Sequence, residues 1–108
     1  MKNPRLEDFK IHLHEELKDP EFRRMYEMEC AKVAIAQKIA ELRDKQHLKQ
    51  SELAKRMNVS QQFVSQLENA ERANLTIETL VKIAKSLNRS VKISFTKLTK
   101  NNPALSVS

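Results

Sequence analysis

The chain has 108 residues, enough for one small hydrophobic core and too few for two ordinary domains. It is 40% hydrophobic and 31% charged, with no apolar run of bilayer length, which predicts a soluble protein that does not enter a membrane. The absence of glycine excludes glycine-rich phosphate loops and dinucleotide fingerprints, and a lone Cys30 excludes an internal disulfide.

From the N-terminus, Leu6, Phe9, Ile11 and Leu13 sit in a charged segment expected to form an arm or short helix. The start lacks the apolar core of a secretory signal, and with a single thiol it points to a reducing cytoplasm. Asp19 followed by Pro20 reads as a capped helix start. From there Phe22, Met25 and Tyr26 share a face at helical spacing. Cys30, Val33 and Ala34 carry the stripe toward Ile35, Ile39 and Leu42, with Cys30 expected to be a buried or half-buried thiol. The pattern fits either one long helix or two with a bend near residue 33. A short helix from Gln50 to Met57 should turn Leu53, Ala54 and Met57 inward, and a tight turn at Asn58 and Val59 follows. Ser60 caps a third helix over 61–69. Thr76 then precedes an amphipathic helix carrying Ile77, Leu80, Val81, Ile83, Ala84 and Leu87. With no glycine available, Asn58, Asn69 and Asn88 are the residues expected to accept the left-handed backbone at helix ends.

After Asn88 the period changes. Val91, Ile93 and Phe95 alternate with Lys92, Ser94 and Thr96, which predicts a short strand over 90–97. A single strand leaves its backbone groups unpaired, so it needs a second copy or another partner. Residues 98–108 are expected to be a flexible tail.

Charge divides the chain unevenly. Residues 1–33 carry 7 Lys/Arg and 8 Asp/Glu, and residues 34–108 carry 13 and 6. The basic part is the candidate nucleic-acid binder. Two short helices joined by a tight turn, the second capped by Ser60, have the layout of a helix-turn-helix. On a helical wheel of residues 60–69, Val64 and Leu67 point one way. Gln62 and Gln66 lie on the opposite side with Ser65 beside them, and Gln61 sits at the helix start. A glutamine amide donates and accepts at once, so this face suits adenine N6 and N7 or other major-groove edges, although a plain polar face would also be glutamine-tolerant. Gln61, near the open amides of the first turn, could instead meet a phosphate. Lys45, Lys49, Ser60, Lys55 and Arg56 are further phosphate candidates. Lys49 is a poor helix cap that could recover its cost as a phosphate contact.

The run from Lys49 to Asn69, with Gln50, Leu53 and Ala54 opening it and Ser60, Gln61, Val64, Ser65, Leu67, Glu68 and Asn69 closing it, resembles the Cro/C1-type (XRE) helix-turn-helix family. The resemblance spans about residues 35–89. It implies an all-α, lambda-repressor-like five-helix domain over 34–89 that binds a double-stranded DNA operator as a homodimer, one half-site per copy. It further implies that Gln50 contacts a backbone phosphate, that Gln61, Gln62 and Gln66 face bases, that Arg72 and Asn74 lie in a backbone-contacting loop, and that Arg43 and Glu68 form a structural ion pair. Three positions depart from the family pattern. Lys49 replaces a good cap, Phe63 replaces a small residue beside the reading face, and Ala70 stands where glycine often follows asparagine. Phe63 is left between core packing and contact with thymine methyls.

The flanks go beyond a bare repressor domain. The stretch Leu17 to Glu27 ahead of it and the strand pattern Val91, Ile93, Phe95 behind it resemble the HigA-type antitoxins, which bind a small basic RelE-like toxin and repress their own operon. On that resemblance residues 1–33 would be a partner-binding helical extension, with Phe22, Met25, Tyr26 and Glu29 at the interface. The alternatives are that these side chains pack on the domain's own first helix, and that the chain is a solitary XRE repressor without a toxin. An enzyme is not expected. His12 and His14 lack the spacing of a helical zinc motif, His47 is isolated, and no cluster suggests a metal or cofactor.

Overall fold

The computed structural model describes residues 13–71, 75–100 and 105–108. Residues 1–12, including Leu6, Phe9 and Ile11, lie outside the described residues, as do Arg72 and Asn74. Five helical elements are present among those described: a turn over 13–16 (α1), Pro20–Lys45 (α2), Gln50–Met57 (α3), Gln61–Glu68 (α4) and Ile77–Ser86 (α5). No helix among them is long and apolar enough to cross a membrane.

Each helix starts where local chemistry allows. Asp19 accepts from the Glu21 amide at 3.0 Å, with Pro20 in the first turn, where its missing N–H leaves nothing unpaired. Ser60 accepts from the Phe63 amide and Thr76 from the Thr79 amide, each at 3.1 Å. Lys49 offers no acceptor to α3. Instead Glu52 reaches back and accepts from the Lys49 backbone N–H at 3.1 Å, the reciprocal half of a capping box.

Among the described residues, helix ends use the left-handed backbone at His47, Asn58, Ala70 and Asn88, all with φ of 55–57°. The hydrogen bonds are those of paired 6→1 and 5→2 closures, as in Glu71 N–H to the Gln66 carbonyl and Ala70 N–H to the Leu67 carbonyl after α4. Asn69, expected in this role, keeps φ at −96°, and Ala70 takes the left-handed place one residue later. Alanine pays a steric cost there that glycine does not. Ala70→Gly is therefore expected to stabilise the fold by about 1 kcal/mol, read as a higher urea midpoint with an unchanged slope.

The core gathers Ile39 from α2, Leu48 from the following turn, Leu53, Ala54 and Met57 from α3, Val64 and Leu67 from α4, and Ile83 and Leu87 at the end of α5. Helix α3 packs on both α4 and α5, and α2 packs on α4. Leu53, Met57, Val64 and Leu87 are fully enclosed, so truncating any of them to alanine forfeits on the order of 2–4 kcal/mol of transfer and cavity energy. Two side-chain ties close the α5 end. The Gln46 amide donates to the Leu87 carbonyl at 2.6 Å, and the Arg56 guanidinium donates to the Ser86 carbonyl at 3.2 Å.

Three expectations are corrected or refined. Residues 20–45 form one continuous helix, the first of the two arrangements that the pattern allows. Cys30 is exposed: before Ala31 no described residue of α2 is buried, and the main core cluster draws on this helix only from Ile35 onward. The expected strand over 90–97 is not formed: these residues carry neither helix nor ladder, and Val91, Ile93 and Phe95 are all exposed. Among the described residues no other strand is present with which that segment could exchange backbone hydrogen bonds. The apolar stripe of α5 is also wider than the core it meets. Ile83 is buried, while Ile77 is 67% exposed and Val81 lies at the surface.

Candidate nucleic-acid interface

Helices α3 and α4 meet through Asn58, whose left-handed conformation reverses the chain in a single residue before Val59 and Ser60 lead into α4. Val64 and Leu67 are buried beneath α4. Gln61 and Gln62 are consequently on its solvent side, both exposed, with Ser65 and Gln66 half-buried at the margin. Phe63 is half-buried and packs against the core. The position of α4 relative to solvent thus follows from two buried residues at a three-residue spacing.

The orientation of α4 is held by one ion pair. Arg43, late in α2, donates from Nε to Glu68 Oε2 at 2.7 Å and from Nη2 to Glu68 Oε1 at 2.9 Å, a fork-to-fork geometry. Its Nη1 donates to the Leu48 carbonyl at 2.6 Å, so the same guanidinium also fixes the turn between α2 and α3. The two side chains are 13% and 5% exposed. The hydrogen bond to Glu68 raises the Arg43 pKa above its ordinary value, outweighing the opposing effect of burial, and the charges of Glu68 and Asp44 add to it. A raised value means the stabilisation is complete below the ordinary guanidinium range and is lost only as pH climbs through the folded value. Arg43 therefore keeps its charge near neutrality.

Gln50, the first residue of α3, is half-buried and donates from Nε2 to Glu68 Oε1 at 3.2 Å. This tie was not visible in the sequence, since 18 residues separate the partners and no periodicity relates them. Lys49 is exposed beside it. Ser60 uses its hydroxyl oxygen as the α4 cap. Lys45 pairs with Glu41 at 3.0 Å, so a phosphate contact there would have to draw it from that partner. The Lys45 hydrogen bond, with further help from Lys38, holds the Glu41 carboxyl below its usual range. That pairing is present above the ordinary carboxylate pKa and is lost only as pH falls through the lowered value.

The other predicted residues lie away from α4 along the chain. Phe22 and Tyr26 stack at 6.5 Å between ring centroids on the first half of α2, where Phe22 is half-buried and Tyr26 exposed. Met25 is 63% exposed, and Glu29 pairs with Lys32 at 3.1 Å. Met28, overlooked in the sequence because it falls off the main stripe, is also exposed. A hydrogen bond with the neighbouring Cys30 thiol raises the Tyr26 hydroxyl above its ordinary pKa. Among the described residues no group of three or more His, Cys, Asp or Glu is placed to hold a metal ion.

Two short helices joined through a left-handed asparagine, the second laid on the surface with its polar side outward, define a small helical nucleic-acid-binding domain. Residues 39–93, just over half of the chain, match the helix-turn-helix family, and the chain belongs to that family. It is a DNA-binding transcriptional regulator of the XRE type. No curated protein and no solved structure matches the chain.

Proposed function

We propose that this regulator reads a specific double-stranded DNA operator through α4 and serves as the antitoxin of a toxin–antitoxin module, repressing its own operon. The DNA-reading part rests on one observation above others: Gln61 and Gln62 stand exposed on the side of α4 opposite the buried Val64 and Leu67. In this reading Gln61, Gln62, Gln66 and Ser65 meet base edges in the major groove. Gln50, Lys49, Ser60, Lys45, Arg72 and Asn74 meet phosphates and set the register. Arg43 and Glu68 hold the frame without touching DNA.

One domain covers one half-site, so operator binding requires two copies. The exposed Val91, Ile93 and Phe95, alternating with polar residues, supply a strand-forming edge for a second copy or a partner. The antitoxin part is supported by the start of α2, which leaves Met25, Tyr26 and Met28 exposed ahead of its first buried residue, Ala31. Methionine and aromatic anchors beside Glu29, in the acidic part of the chain, suit a small basic RelE-like toxin. The action is binding rather than catalysis, and its place is the compartment that holds the DNA.

The test is co-expression with the product of the adjoining small open reading frame, followed by size-exclusion chromatography and gel shift on the shared promoter. A co-eluting complex that shifts the promoter supports the antitoxin reading. A dimer that shifts DNA but captures no neighbour product leaves a solitary repressor.

Lys49 separates the cost of capping from the benefit of charge. Lys49→Asp is expected to stabilise the fold by about 1 kcal/mol, since aspartate caps α3 where lysine cannot. The same change should weaken operator binding and reduce the log–log salt slope by about 1, as one phosphate contact is lost. Thermal melts and anisotropy titrations across salt concentrations check both halves.

A further inference from the structure

Glu68 does more than neutralise Arg43. Its Oε1 accepts from Arg43 Nη2 at 2.9 Å and from Gln50 Nε2 at 3.2 Å, while Oε2 is taken by Arg43 Nε at 2.7 Å. One carboxylate, 5% exposed, therefore joins the end of α2, the start of α3 and the end of α4. An ionised carboxylate only accepts, so it is the nitrogen end of the Gln50 amide that must face it. Were the amide reversed, its carbonyl oxygen would lie against a buried negative charge. The amide nitrogen has two hydrogens. One is held by Glu68, and the side chain is only half-buried at the first position of α3, so the amide is not sealed from solvent.

We infer that Glu68 is a positioning residue for DNA recognition: it locks the Gln50 amide with its second N–H outward, ready to donate to a phosphate oxygen. An untethered glutamine would present its carbonyl oxygen to the phosphate as often as its nitrogen, and the carbonyl is repelled there. The lock removes that wrong orientation and the rotamer entropy of the contact before DNA arrives. Arg43 supports the device by holding the Glu68 side chain in place through two hydrogen bonds. The inference rests on the reading of Gln50 as a phosphate contact.

Breaking the ion pair one side at a time would confuse positioning with unfolding, so both charges are removed together. In Arg43→Met with Glu68→Leu, apolar groups replace the pair and Gln50 loses its anchor while the fold keeps a packed interior. The probe is a duplex enriched by the unaltered protein from a random pool, titrated by anisotropy, with a thermal melt on each variant. Gln50→Ala should weaken binding about tenfold, the size of one hydrogen bond to a charged group. The paired variant should melt cooperatively and lose a similar factor, and adding Gln50→Ala to it should cost nothing more. Losses that multiply instead, or a paired variant that binds as the unaltered protein does, would overturn the positioning role while leaving the contact standing. Unchanged binding by Gln50→Ala would overturn the contact and the inference with it. A second measurement needs no variant. In the free protein one of the two Gln50 side-chain amide protons should be protected from exchange relative to the other, whereas two equally exposed, rapidly exchanging protons would overturn the lock.

Discussion

Gln62→Ala is expected to lower affinity for the operator by about ten- to hundredfold while leaving binding to unrelated DNA unchanged. Gln62 lies in the first turn of α4, on the side away from Val64 and Leu67, and is exposed. Its removal takes nothing from the core, so the melting temperature should stay within about 2 °C of the unaltered protein. A paired amide contact to a base edge is worth about 1–3 kcal/mol of discrimination, which converts to the stated range. Non-specific binding depends on phosphate neutralisation, and Gln62 carries no charge to contribute. The measurement is a competition titration, operator against scrambled duplex, at fixed salt. Equal loss on both duplexes would assign Gln62 to general affinity, and no loss on either would leave it as a plain polar surface residue.

Arg43→Ala carries the second large effect, on stability. The substitution leaves the Glu68 carboxylate, 5% exposed, without its main counter-charge and strips the Leu48 carbonyl of its donor. Losing one member of a buried pair in this way costs about 3–5 kcal/mol, a large part of the stability of a domain this size. The variant should melt far below the unaltered protein or fail to fold at all, and an operator ligand should raise its midpoint by mass action if a folded fraction remains. The paired change Arg43→Met with Glu68→Leu should recover most of the loss, since no charge is then stranded. Equal instability in the single and paired variants would mean that the hydrogen-bond geometry, rather than the stranded charge, sets the cost. Because the Arg43 pKa is raised, the stability of the unaltered protein should not vary between pH 6 and 9 on account of Arg43.

The predominantly helical class, the starts of α2, α4 and α5 and the outward side of α4 were legible in the sequence. Those features are local. Asp19 with Pro20, Ser60 and Thr76 act on amides within three residues, and a wheel separates Val64 and Leu67 from Gln62 without knowing any neighbour. Asn58 and Asn88 were legible as left-handed helix ends for the same reason, while Ala70 was not, because alanine has no preference that announces a positive φ. What tertiary structure alone decided was how much of each apolar stripe finds a partner. The pattern of α5 treats Ile77 and Ile83 alike, yet the core extends only far enough to cover Ile83. The pattern of α2 runs unbroken from Phe22 to Leu42, yet no residue of the helix is buried before Ala31. The alternation at Val91, Ile93 and Phe95 is strand-like, but a strand forms only against another edge. The Gln50 tie to Glu68 belongs with these. Periodicity states what a segment would bury or bond if a partner were there, and only the packed chain determines whether the partner is within reach.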